Sequence, residues 1–433
     1  MSNKAKATAT KEEAIPALVP KLRFPEFREG EGWEYAPLGK LLMKSPDYGV
    51  NAAAVPFTER LPQYLRITDI SEDGTYLSAQ KVSVDLEPKD EIYLDDGDIV
   101  LARTGASVGK SYRYRKADGR LVFAGFLIRV KPNPKRLVSA YLANFLTTEQ
   151  YWKWVAVTST RSGQPGINSV EYSALAIPLP PDVPEQQKIA ECLSSVDELM
   201  ATQARKVEAL KTHKKGLMQK LFPPKGETQP RLRFPEFQNA GEWGDQSIGD
   251  FGKVVTGSTP STARPEFYGG GIPFVSPADI SGMRFVDQTK ATLTAEGFAE
   301  TRPIRAGSIL FVCIGSTIGK VAQSIYDCAT NQQINAVVPN SKHSDNFVYF
   351  ALSFASERIA LLAGRQAVPI INKTVFSSVR LLVPKLDEQQ RIASCLSSLD
   401  ALITAEAQKL EALKCHKKGL MQQLFPSPER SQT

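Results

Sequence analysis

Residues 185–223 read EQQKIAECLSSVDELMATQARKVEALKTHKKGLMQKLFP, and residues 388–426 read EQQRIASCLSSLDALITAEAQKLEALKCHKKGLMQQLFP. Aligned without gaps, the two stretches are identical at 27 of 39 positions. Prolines delimit each as a helix, Pro184 and Pro223 for the first and Pro384 and Pro426 for the second. Apolar residues of the first fall at Ile189, Leu193, Val196, Met200, Val207, Leu210, Leu217 and Leu221, and those of the second at Ile392, Leu396, Leu399, Ile403, Leu410, Leu413, Leu420 and Leu424. Steps of four and three residues make a heptad seam. Polar residues take two seam positions in each copy: Gln203 and Lys214, then Glu406 and Lys417. A seam covers only a narrow stripe, so each helix needs a partner, and the other copy supplies a matching one. The alternative is two separate amphipathic helices, each packed on its own domain. At 1.5 Å per residue each helix reaches roughly 50 Å.

The duplication extends outward from the helices. Leu22-Arg23-Phe24-Pro25-Glu26-Phe27 recurs as Leu232-Arg233-Phe234-Pro235-Glu236-Phe237, an offset of 210 that Trp33 and Trp243, Gly39 and Gly249, and the Gly105, Gly109, Lys110 and Gly315, Gly319, Lys320 sets share. The helices repeat at an offset of 203, so the second globular part is the shorter. Between these anchors the halves match only at scattered Gly, Pro and apolar positions. The chain is a domain-plus-helix module written twice, with a period too long for a solenoid repeat. The division is a tail over 1–19, a first domain over 20–184, a central helix over 185–223, a linker over 224–230, a second domain over 231–387, a C-terminal helix over 388–426 and a tail over 427–433. Within each half, short apolar runs such as Asp98–Ala102 and Ser308–Val312 read as buried strands, and Val138–Val157 and Asn346–Ala363 have helical spacing. Strands precede helices, which indicates α+β domains: two tandem mixed domains, each followed by a long helix.

Composition excludes several function classes. The chain has 433 residues, 42% hydrophobic and 23% charged, which is ordinary for a globular protein. No apolar run is long enough for a transmembrane helix, and the polar start has no signal-peptide core. Five cysteines without a C-x-x-C and three scattered histidines fit neither a disulfide framework nor a metal site, and point to a reducing, cytoplasmic setting. The run Gly105-Ala106-Ser107-Val108-Gly109-Lys110-Ser111 is similar to a phosphate-binding loop, but has one residue too few between its glycines. Strand-like Tyr112–Arg115 follows where a helix N-terminus should hold the phosphate, so a tight turn between strands is the better account. No methyltransferase N-P-P-[FY] sequence, helicase set or nuclease carboxylate cluster occurs.

The net charge is only +7, but its distribution is uneven. Between Arg103 and Arg136 there are ten basic residues against one acid, Asp118. They follow an acidic run from Asp85 to Asp98. Nucleic acid is the usual partner of such a patch. The alternative is a solvated strand face whose charges pair with the acidic run.

Taken together, these residues make the chain similar to the specificity subunits of type I restriction–modification systems over nearly its full length. Four features carry the resemblance: the Pro-rich lead into Glu-Gln-Gln and Ile at 180–189 and 384–392; the Lys-x-Glu-Ala-Leu-Lys to Leu-Phe segments at 206–222 and 409–425; the strand and R-T-G-x-x-x-G-K turn at 97–110 with its counterpart at 307–320; and the two-half layout. The resemblance implies two target-recognition domains, each reading one part of a bipartite double-stranded DNA site. The duplicated helices would pair as an antiparallel coiled coil and act as a spacer, with half-sites about one DNA turn or slightly more apart. Two methyltransferase subunits and, in the full complex, restriction/translocase subunits would dock on this chain. It would be non-catalytic and bind no cofactor itself; AdoMet, ATP and Mg2+ would belong to the partners.

On this basis the DNA-contact candidates of the first half are Arg103, Lys110, Tyr112, Arg113 and Arg115, followed by Arg161 and Gln164 in the Thr158–Gly166 loop. Those of the second half are Arg264, Arg284 and Lys320, with Arg365, Gln366 and Lys373 in the corresponding loop region. Arg is suited to guanine edges and Lys to phosphates.

Overall fold

The computed structural model describes residues 18–86, 89–160, 164–364 and 368–426. Most of the 1–19 tail and all of the 427–433 tail lie outside them. The chain forms two compact units, one comprising the described residues up to Thr202 and from Leu410 onward, the other Gln203–Lys409. Each unit therefore holds one globular domain and half of each long helix.

In the first unit, Glu34–Pro37 pairs antiparallel with Ala176–Leu179 and closes the domain at its base. One sheet has the order Asp47–Tyr48, Leu127–Val130, Ile99–Ala102, Ser111–Arg113. A second has the order Ala54–Pro56, Val82–Val84, Gln63–Leu65, Leu121–Phe123. The strand Ile99–Ala102 is apolar throughout because it is buried on both faces. Ile99 and Leu101 join a core with Trp33, Tyr141 and Phe145, while Val100 and Ala102 face a second core with Tyr112, Leu121 and Phe123. The second unit repeats the plan. Gly244–Ser247 pairs with Arg380–Val383, and Ile309–Val312 sits at the centre of a five-stranded sheet. Ile309 and Phe311 face the helix-side core, and Leu310 and Val312 the other.

The predicted helical stretch Val138–Val157 is two helices, Ser139–Phe145 and Glu149–Thr158. Thr148 ends the continuity: its hydroxyl accepts from the Tyr151 N–H and caps the second helix. The counterpart is unbroken over Asp345–Ala360 and runs on into a 3-10 turn, Leu361–Ala363.

The long helices span Val183–Leu221 and Leu386–Leu424. Pro184 is tolerated inside the first turn, where its missing N–H would have no intrahelical partner. In the first unit the start of the central helix lies against the end of the C-terminal one, so the pair is antiparallel. Ile189, Leu193, Val196 and Leu424 are buried there, and Met200, Leu410, Leu413 and Leu420 half-buried, whereas off-seam Leu199 is exposed. In the second unit Val207, Leu221, Ile392 and Leu396 are buried, Leu210, Leu217, Leu399 and Ile403 half-buried, and off-seam Leu402 exposed. Pairing within each unit removes the alternative of helices packed separately. The polar seam residues find partners on the facing helix. Lys417 meets Asp197 at 2.7 Å in the first unit, and Lys214 meets Asp400 at 2.5 Å in the second. Gln203 donates to the Glu406 carboxylate at 2.7 Å.

The repeated ends of the module anchor the helices to the domains. Arg23 binds Glu185 through two bonds of 2.8 Å in the first unit, and Arg233 binds Glu388 at 2.8 and 2.7 Å in the second. Gln186 accepts from the Val138 N–H and donates to the Arg136 carbonyl, so each Glu-Gln pair fastens a helix start to its domain. Each unit then receives the other helix's end. Phe425 packs on Tyr141 and Phe145 in the first unit, and Phe222 on Trp243 and Phe347 in the second.

Glu406 supplies a pH-sensitive element in the second unit. The hydrogen bond from Gln203, with Lys206 and Lys409 each at 3.0 Å, holds its carboxyl down at about 2. A depressed folded-state pKa stabilises above the unfolded value of 4.5, and that contribution is lost as pH falls toward about 2. Helix-pair protection around 203–206 and 406–409 should therefore decline between those pH values in hydrogen exchange. Glu406→Gln should flatten that decline.

Candidate nucleic-acid interface

In the first unit the strand Ile99–Ala102 leaves the sheet at Arg103, turns, and returns as Ser111–Arg113. Gly105–Ser107 forms a 3-10 turn; the Gly109 N–H donates to the Ala102 carbonyl and the Lys110 N–H to the Ser107 carbonyl, both at 3.0 Å. Those donors close the turn, and a strand follows it, so the geometry of a phosphate loop is absent. Gly109 has φ +87°, and a Cβ there would lie 2.7 Å from a Val155 methyl, so only glycine lets helix Glu149–Thr158 approach.

A second loop packs alongside. The Gly105 N–H donates to the Pro165 carbonyl at 3.0 Å, and the Ile167 N–H to the Arg103 carbonyl at 2.9 Å. Asn168 then caps the helix Ser169–Ala174. The second unit builds the same rim. The Gly315 N–H donates to the Pro369 carbonyl at 3.0 Å and the Ile371 N–H to the Cys313 carbonyl at 2.8 Å, and Asn372 caps Lys373–Ser378. One backbone scaffold thus presents two unlike sets of side chains. Arg103 stands where the second unit has Cys313, whose buried thiol is pushed up to about 11.

The candidates divide by their surroundings. Arg103 lies over the Tyr48 ring, and Lys110 makes no side-chain hydrogen bond or ion pair among the described residues. Arg113 is half-buried and donates to Ser139 Oγ at 3.1 Å. Arg115 is exposed but paired with Asp118 at 3.2 Å. Gln164 is exposed, its amide 3.1 Å from where a Gly105 Cβ would stand. Arg161, Arg365 and Gln366 lie outside the described residues. In the second unit Lys373 is exposed, Lys320 donates to the Ile280 carbonyl at 3.0 Å, and Arg264 is paired with Glu266 over the Phe267 ring.

Two candidates are corrected. Tyr112 is 1% exposed and its hydroxyl donates to Asp118 at 2.7 Å. Strand alternation turns it into the core, and burial, then Asp118, pushes its phenol pKa upward. It cannot present its ring or hydroxyl to DNA. Arg284 is 8% exposed, bonded to Gln323, Asn346 and Ser397 and stacked on Phe285, Tyr349 and Phe350. It fastens the sheet edge to the C-terminal helix.

The basic stretch 103–136 is likewise reduced. Arg129 is 1% exposed and bound to Asp47 and Asp98; Lys131 is bound to Asp95 and Asp98, and Arg120 to Asp90. Pairing with acids explains much of the patch. What stays available at the turn is Arg103 and Lys110, while Lys116 is exposed beyond the far end of strand Ser111–Arg113. Tyr48, beneath Arg103, carries no local signal that distinguishes it from a core aromatic. Its position is set by pairing of Asp47–Tyr48 with Ile128–Arg129 far along the chain.

The chain matches the family model described as type I restriction modification DNA specificity domain twice, over residues 47–212 and 240–415. It is 25% identical over 385 residues to a putative type I restriction enzyme MjaX specificity subunit of Methanocaldococcus jannaschii, covering 85% of this chain and 87% of that one. Its fold is similar to the crystal structure of a type I restriction–modification system S subunit from M. genitalium, with a TM-score of 0.60 at 15% identity, covering 95% of this chain and 100% of that one. A chain from a structure described as showing complex assembly and conformational transition of the type I system aligns with a TM-score of 0.55 at 17% identity, over 92% of this chain and 98% of that one. No described helix is long and apolar enough to cross a membrane.

Proposed function

Because the chain belongs to the type I restriction–modification DNA specificity family, we propose that each of its domains reads one part of a bipartite duplex sequence through the rim built by the Gly turn and the adjoining loop. As a specificity subunit it recognises DNA and leaves catalysis to other subunits of its complex. Two methyltransferase subunits dock on the duplicated elements, joined in the full assembly by restriction/translocase subunits. AdoMet, ATP and Mg2+ serve those partners, which act with this chain in the cytoplasm. The paired helices act as the spacer between half-sites.

One observation carries this reading: near-identical helices and matching Arg–Glu anchors hold two rims whose side chains differ. Shared docking geometry with two different half-sites needs that combination. Phosphate contacts position such a domain and base-edge contacts specify.

Selection of bound duplexes from a randomised pool, by the chain with its methyltransferase subunits, is expected to return a gapped two-part motif. Exchanging residues 228–384 for those of another family member should change one part only. Recovery of an ungapped motif, or of none, contradicts the proposal. Lys110→Ala should weaken binding to all sequences alike and reduce the salt slope by about one. An altered base preference at unchanged salt slope would remove Lys110 from the phosphate contacts.

A further inference from the structure

Arg103 differs from the other arginines around it. Arg115, Arg120 and Arg129 each meet a carboxylate, Arg113 donates to Ser139 Oγ and Arg136 to the Lys40 carbonyl, whereas Arg103 has neither an ion pair nor a side-chain hydrogen bond among the described residues. Its backbone is fixed on both sides, the N–H donating to the Phe126 carbonyl at 3.1 Å and the carbonyl accepting from Ile167 at 2.9 Å. Its guanidinium carbon lies 4.8 Å from the Tyr48 ring centroid. Tyr48 is itself held, its hydroxyl 3.2 Å from Ser169 Oγ and accepting from the Ser169 N–H at 3.2 Å. A cation over a ring face is held without spending its N–H donors. The planar fork therefore remains available, at reduced conformational cost, for a bidentate acceptor. The site is on the rim, beside exposed Gln164 and Phe126.

We propose that Arg103 reads a guanine in the half-site of the first domain and that Tyr48 is its positioning residue. Guanine offers O6 and N7 side by side in the major groove, the acceptor pair that matches an arginine fork. The inference rests on the DNA-recognition reading and adds the base and the residues. The second domain, with buried Cys313 at the matching position, must read its half-site with other side chains.

The test selects duplexes from a randomised pool with the chain bound to its methyltransferase subunits. Wild type is compared with Arg103→Ala, Arg103→Gln and Tyr48→Leu. The wild-type motif should hold a guanine in the part that persists when residues 228–384 are exchanged. Arg103→Ala should lower the guanine preference there about tenfold or more, leaving the other part unchanged. Arg103→Gln, which keeps length and a planar head, should move that position toward adenine. Tyr48→Leu should weaken the same position, and adding it to Arg103→Ala should have no further effect. Unchanged base preference in all variants overturns the assignment. So does an even loss of binding across sequences with a smaller salt slope, which would make Arg103 a phosphate contact. A wild-type complex that selects no two-part motif overturns the DNA-recognition reading itself. Arg103→Gln, the gentlest change, decides the case if either other variant fails to fold.

Discussion

Glu388→Ala is expected to destabilise the second unit by about 3–5 kcal/mol, because it leaves a buried guanidinium without its carboxylate. The Arg233 and Glu388 side chains are 9% and 2% exposed, and they meet through two bonds. Arg233 also donates to the Ala240 and Gly241 carbonyls, which partly satisfy its donors but cannot neutralise its charge. Glu388 further accepts from Trp243 Nε1 at 3.4 Å, so the substitution also orphans an indole N–H in the core. The helix-seam pair Asp197–Lys417 provides the contrast. Its side chains are 46% and 20% exposed, and pairs of that kind contribute about 0–1 kcal/mol. Region-resolved hydrogen exchange in urea checks the ranking: protection in Gly244–Ser247 and Arg380–Val383 should fall at lower urea in Glu388→Ala. Replacing both partners with apolar residues, Arg233→Met with Glu388→Leu, should recover much of the loss. A single substitution no worse than Asp197→Ala would show that the pair is not desolvated.

Phe425→Ala is expected to destabilise the first unit by about 3–5 kcal/mol, the usual cost of removing a buried phenylalanine. Phe425 is 4% exposed, with ring centroids 5.1 Å from Tyr141 and 6.0 Å from Phe145. It packs in one core with Trp33, Tyr141 and Phe145, so its removal leaves a cavity among large aromatic side chains. Adjacent Leu424 and the Leu22 N–H bonded to the Gln423 carbonyl would lose their support as well. Protection should fall in Ser139–Phe145 and in the strand pair Glu34–Pro37 with Ala176–Leu179. Phe222→Ala should produce the matching loss around Trp243 and Phe347 in the second unit. The two phenylalanines belong to separate cores and share no partner, so their effects should combine additively.

Much of the architecture is legible in the sequence because its determinants are periodic. The heptad spacing marks the seam residues, and all of them are buried or half-buried. The Gly turn is recognisable because Gly105 and Gly109 adopt φ +71° and +87°, and because a close-packed helix forbids a side chain at Gly109. The matching motifs Leu22–Phe27 and Leu232–Phe237 are readable as repeats, but their task is not. Arg23 reaches Glu185 across 162 positions, a contact that sequence spacing does not encode.

The candidate site was less legible for the same reason. Tyr112 and Arg113 are neighbours in an alternating aromatic and basic run, yet strand pleating sends one into the core and leaves the other half-buried. Arg129 looks like part of a basic surface until the fold brings Asp47 to it from 82 positions away. Arg284 looks like an isolated cation until Ser397 on the C-terminal helix closes over it, 113 positions on. The duplicated module, the paired helices and the place of the turn follow from repeats, periods and glycines, which are local properties of the chain. Which cations stay unpaired is a property of the folded chain alone. Whether a charge is paired depends on what long-range folding sets beside it, and at the turn that leaves Arg103, over Tyr48, and Lys110 rather than the whole +9 stretch between Arg103 and Arg136.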